Sequence, residues 1–266
     1  MGGEGRTRKL AAGMTKDDIP RIIKELKSAP QDGKEKSAYL LDIMAEQEEN
    51  VKAMVKAGAI GPLVELVASG NDGGQIHACS TLAQIALAET DFTSEGNPRD
   101  AIVLAGAITP LVSVLRSGSE KAQMHAAAAL ASLSEDPENQ MPIIKAGAIA
   151  PLVRLLRVGT DDAKISAADC VANVSAANME AQAAVHAAGA VPLLLEMLKG
   201  GKAQQAAANA LAKLLWPGPD LSLAANVAIQ LSILEQGGIA PLLALLNGVS
   251  DKAQVSAAEA LSHDDL

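Results

Sequence analysis

Aromatic residues are nearly absent. The 266-residue chain holds one Trp, one Tyr and one Phe, 1% of its length. That scarcity, with no strand-like alternation of apolar and polar residues, excludes an antiparallel sandwich or barrel. Cysteine is scarce too: Cys79 and Cys170 alone, each inside an apolar helical run, read as small buried thiols of a reduced, intracellular protein. No apolar run approaches the roughly 18 residues of a membrane span, which argues against membrane insertion. The N-terminus (Met1, Gly2, Gly3, Glu4, Gly5, Arg6) has no signal-peptide core, and Arg6 stands where myristoylation needs Ser or Thr. Positive charge is in deficit: 22 basic against 31 acidic residues, net −9 and a pI near 5.0, which argues against nucleic-acid partners. Enzyme motifs are missing as well. There is no Gly-rich phosphate loop leading into Lys-Ser/Thr, no Gly-x-Ser-x-Gly and no His-Glu-x-x-His, so neither catalysis nor a cofactor is expected.

Apolar residues are nonetheless plentiful. They make up 49% of the chain, and Ala alone supplies 52 residues. Ala and Leu favour helix, and small side chains let helices approach closely. The expected class is therefore all-α.

One phrase recurs along the chain. It reads Ala57, Gly58, Ala59, Ile60, Gly61, Pro62, Leu63, Val64, and returns around Gly106, Gly147, Gly189 and Gly237. Successive glycines are 48, 41, 42 and 48 residues apart, and a degenerate copy starts 41 residues before Gly58, at Asp17. A period of this length marks a solenoid of helical repeats. The phrase has a physical reading. Gly ends one helix, Pro opens the next without losing an amide hydrogen, and the following Leu and Val give that second helix a buried stripe. A polar break and a long Ala-rich third helix follow, and a short first helix such as 136–146 begins the next unit.

In period, phrase and Ala-rich helix the chain resembles the armadillo repeat family, from about Lys16 to Leu266. The resemblance implies a right-handed superhelix with three helices per repeat. It also implies a concave groove, lined by third helices, that binds an extended peptide or a partner protein. The expected layout is a polar tail over 1–16 and a solenoid of about six units over 17–266, the first and last incomplete. The end of the last unit, with Asp264 and Asp265, reads either as a polar cap or as a break in a longer solenoid. Two connections are longer than the rest and carry Phe92 and Trp216. Trp216 is expected to anchor its loop.

A register for the third helices comes from one apolar position, Leu41, Leu82, Leu130, Val171, Leu211 and Leu261. It lies 24 residues after the phrase position, or 22 in the Gly189 unit. In the family's nuclear-import receptors this helix carries Trp and Asn four residues apart. The aligned pairs here are Tyr39/Ile43, Ser80/Gln84, Ala128/Ser132, Asp169/Asn173, Asn209/Lys213 and Glu259/His263. Only Asn173 keeps the Asn and none keeps the Trp, so an import receptor for basic signals is not expected. The candidate groove residues are His77, Ser80, Gln84, His125, Ser132, Asp169, Asn173, Asn209, Lys213 and Glu259, a small, polar surface of mixed charge. His77 and His125 recur at one position of consecutive units, but helix spacing and the lack of further ligands argue against zinc. Lys121, Lys164, Lys202 and Lys252 recur near the third-helix starts, with Glu120, Asp161, Asp162 and Asp251 expected to offset them.

The functional expectation is a non-catalytic protein-interaction scaffold, cytoplasmic or nuclear. Two alternatives stand beside it: a structural subunit of a larger assembly, and the substrate-recognition repeats of a multidomain protein such as a U-box ubiquitin ligase.

Overall fold

The computed structural model describes residues 13–88, 97–176, 178–215, 223–245 and 251–261. Phe92, Trp216, His263, Asp264 and Asp265 lie outside them, as does most of the expected tail. Among the described residues there are seventeen α-helices, one 3-10 turn (Lys16–Asp18) and no strand. The chain divides into two compact units, Met1–Leu133 and Ser134–Leu266.

The first unit opens with a two-helix repeat, α1 (Ile19–Ser28) and α2 (Gln31–Met44). Two full repeats follow: α3 (Glu48–Lys56), α4 (Ile60–Ser69) and α5 (Asp72–Leu87), then α6 (Pro98–Leu104), α7 (Ile108–Ser117) and α8 (Glu120–Ser134). The second unit holds α9 (Pro137–Lys145), α10 (Ile149–Val158), α11 (Asp161–Ser175), α12 (Met179–Ala187), α13 (Ala190–Met197), α14 (Gln204–Leu215), α15 (Leu223–Glu235), α16 (Ile239–Leu245) and α17 (Asp251–Leu261). Third helices stack on third helices: α2 on α5 in the first unit, and α11 on α14 on α17 in the second.

The recurring phrase builds the corner between first and second helices. Gly58 has φ +75°, a left-handed value that Gly adopts without a Cβ penalty. Its N–H donates to Val55 O and that of Ala59 to Met54 O, both at 3.0 Å, so the last carbonyls of α3 are satisfied. Helix α4 starts at Ile60, with Pro62 in its first turn. Its apolar stripe (Ile60, Leu63, Val64, Leu66, Val67) is buried. Two of the third helices, α5 and α11, begin at side-chain caps: Asn71 accepts from Gly74 N at 2.9 Å and Thr160 from Ala163 N at 3.3 Å. The register residues Leu41, Leu82, Leu130, Val171 and Leu211 are fully buried.

The far ends of the third helices are closed differently. Side-chain amides from the following first helix reach back to carbonyls that the helix itself cannot pair. Asn50 Nδ2 donates to Met44 O at 2.9 Å, Gln140 Nε2 to Ser134 O at 3.2 Å, and Gln182 Nε2 to Ser175 O at 3.0 Å. Gln182 Nε2 also reaches Lys213 O at 3.1 Å, so one amide serves α11 and α14. Among the described residues no single helix is long and apolar enough to cross a membrane.

Candidate functional site

In the first unit the third-helix row is clasped shut by its own side chains. Asp42 on α2 is the hub. His77 Nδ1 donates to its Oδ2 at 2.9 Å, and Gln84 Nε2 donates to its Oδ1 at 2.8 Å. Gln84 Nε2 also lies 3.3 Å from Asp42 O and 3.5 Å from Ser80 Oγ. The Tyr39 ring meets the His77 ring edge-on, centroids 4.7 Å apart. Ser80 is buried, so His77, Ser80 and Gln84 form a polar seam between α2 and α5 rather than an open row. His125 on α8 is half-buried. Burial lowers its imidazole pKa, the Asp42 charge opposes that shift, and His77 and Lys121 add to it. Ser132 is buried, and its hydroxyl donates to Ala128 O at 3.0 Å within its own helix.

In the second unit the row is open. A groove of about 600 Å³ crosses α11, α14 and α17, and Asp169, Asn209, Lys213 and Glu259 all line it. Four of the ten candidate residues thus converge there. Asn173 does not line it; its Nδ2 donates to Ser134 Oγ at 3.1 Å, inside the second unit. Burial, reinforced by the Glu135 carboxylate, pushes the Asp169 carboxyl up to about 6. Lys202 and Lys252 also line the groove. Asp251, expected to offset Lys252, stands beside it, yet among the described residues neither lysine joins an ion pair. Between the lysines and Asp169 runs a further row, Ile165, Gln205 and Val255.

Two features escape the register pairs. Asp42 follows the register residue by one, a position where Ala83, Ala131, Ala172 and Ala212 stand in four of the other five units and Ser262 in the last. A lone acid in a row of alanines was its signal. The Ile165 row is marked by apolar residues at the same step, Ile76 and Met124, in earlier units. Among the described residues no group of three or more His, Cys, Asp or Glu could hold a metal ion.

This repeat geometry matches known proteins. The Armadillo/beta-catenin-like repeat family matches residues 47–87, 97–135 and 136–176. A crystal structure of an engineered protein superposes with a TM-score of 0.75 at 30% identity, over 94% of this chain and 98% of that one. The chain belongs to the armadillo-repeat family. A designed armadillo repeat protein is similar at TM-score 0.76 and 26% identity, covering 92% of this chain and 99% of that one. A second designed armadillo repeat protein, in complex with the peptide (KR)4, is similar at TM-score 0.72 and 25% identity, covering 92% and 99%. No match is found among curated proteins. The all-α armadillo fold, a repeat scaffold suited to protein binding, is therefore common to the chain and these structures.

Proposed function

We propose that the chain is a non-catalytic scaffold whose second-unit groove takes an extended segment of a partner protein. The observation that carries this reading is the groove itself, with Asp169, Asn209, Lys213 and Glu259 arrayed across three stacked helices. An extended backbone offers unpaired N–H and C=O groups, and side-chain amides such as that of Asn209 can pair with them. The peptide complex of a designed family member supports the same use of the fold. The lack of the Trp and Asn array keeps the reading apart from import of basic signals. Affinity capture with wild type and an Asp169→Ala/Asn209→Ala variant tests it. The captured partner should be lost from the variant while the melting curve stays sharp. Equal capture by both would end the groove reading.

A second reading, a subunit held in an assembly, has its own observation. Val227, Leu231 and Leu234 sit at helical spacing on α15, and Leu231 is 50% exposed. Leu243 on α16 is 48% exposed, whereas Val64, Val112 and Val153 at the same place in earlier repeats are 7, 2 and 4% exposed. Sedimentation velocity of wild type beside Leu231→Ser/Leu243→Ser checks it. Association lost in the variant supports an assembly face, and a monomeric wild type removes the reading.

A further inference from the structure

The groove of the second unit is banded. Its N-terminal rim carries Lys202 and Lys252, moderated by Asp251. Its middle row is uncharged: Ile165, Gln205, Val255. Its third row is Asp169, Asn209, Glu259, with Lys213 beyond it. Lys252 and Glu259 are seven residues apart on one helix, so rim and acidic row lie about 10 Å apart along the helix axis. The bands run across the helices, from α11 over α14 to α17.

A segment lying along the bands meets them in a particular way. In an extended chain successive side chains point to opposite sides. With the backbone over the uncharged middle row, one set of side chains points to the rim and the other to the acidic row. The Asp169 carboxylate accepts no hydrogen bond and joins no ion pair among the described residues. It is a half-buried carboxylate whose natural complement is a cation brought from outside.

We propose that this groove selects an extended segment of alternating charge, with cationic side chains over the Asp169–Asn209–Glu259 row and anionic ones over Lys202 and Lys252. The selection rests on the groove reading above and adds to it a rule for the partner's sequence. Helices about 8–10 Å apart and about 3.3 Å per extended residue make the span from Asp169 to Glu259 about five to six residues. An octapeptide covers it. The raised pKa of Asp169, about 6, fits a site that waits for its counter-charge.

Three fluorescein-labelled octapeptides test the rule by fluorescence anisotropy at low salt. The first alternates lysine with glutamate, the second carries the same residues as a block of lysines followed by a block of glutamates, and the third alternates lysine with arginine. The lysine–glutamate alternating peptide should bind about tenfold tighter than the block peptide of identical composition. Lys202→Glu/Lys252→Glu should remove that advantage, and both positions are exposed, so the fold is spared. If the lysine–arginine peptide binds as tightly as the lysine–glutamate alternating one, the groove reads one sign only; the alternation rule falls and the groove reading stands. If none of the three binds, the rule falls and the groove reading falls with it.

Discussion

Asn173 on α11 donates from Nδ2 to the hydroxyl oxygen of Ser134, the first residue of the second unit, at 3.1 Å. The one side chain that keeps the import receptors' Asn is therefore already engaged within its own unit. Asn209, one repeat later, lines the open groove instead. The two amides should separate cleanly. Asn173→Ala is expected to lower unfolding free energy by about 1 kcal/mol and leave peptide binding unchanged. Asn209→Ala should weaken peptide binding and barely move stability. Urea denaturation and anisotropy on the same variants check both.

Asp169 makes stability depend on pH in a definite direction. Its folded-state pKa is raised from 3.8 to about 6, so the folded chain holds the proton more tightly than the unfolded one. As pH rises from about 4 to about 6 the folded state loses that advantage, and above 6 the buried charge is a standing cost. Asp169→Asn should raise Tm at pH 7.5, and the gain should shrink to nothing near pH 4. A gain that grows as pH falls would contradict the burial of this carboxyl beside Glu135.

The thiols should be silent in the folded protein. Cys79 and Cys170 are free and fully buried, and burial pushes both thiols up to about 12. Near pH 8 almost no thiolate is present in either. Labelling with Ellman's reagent should wait for unfolding and follow its rate for both residues. Fast labelling of one in native buffer would show a local opening at that helix.

Two glycines give opposite expectations from the same substitution. A Cβ would meet nothing within 4 Å at either Gly61 or Gly106, but Gly106 has φ +80°. Gly106→Ala should cost about 1–2 kcal/mol through backbone strain alone. Gly61→Ala, inside the first turn of α4, should be neutral or stabilise by about 0.5–1 kcal/mol. Thermal melts of the pair check the sign.

The helix corners were legible in the sequence because each is a local event. Gly58 and Pro62 act within a few residues of themselves, and the phrase repeats often enough to set a register. That register placed Leu41, Leu82, Leu130, Val171 and Leu211 correctly in the core; Leu261, in the last repeat, is only half-buried. The site was less legible because its fate depends on cross-stack partners. Gln84 and Asn209 are both amides on third helices in aligned pairs. Gln84 meets Asp42, 42 residues away, and is consumed; Asn209 lines open space. Nothing near either residue distinguishes them. Asp42 was hidden because it lies one step off the compared positions.

The reach-back amides bear on how the chain could be divided or recombined. A segment cut just after a third helix leaves behind Asn50, Gln140 or Gln182, and with it the donor for Met44 O, Ser134 O or Ser175 O. Cut after the phrase glycine instead, it takes those donors along and ends on a helix that closes its own carbonyls. The exchangeable module is then not a first, second and third helix cut at the end of each third helix, but the unit that the glycine period draws. It is a second helix, a third helix and the first helix that follows, bounded at Gly58, Gly106, Gly147 and Gly189.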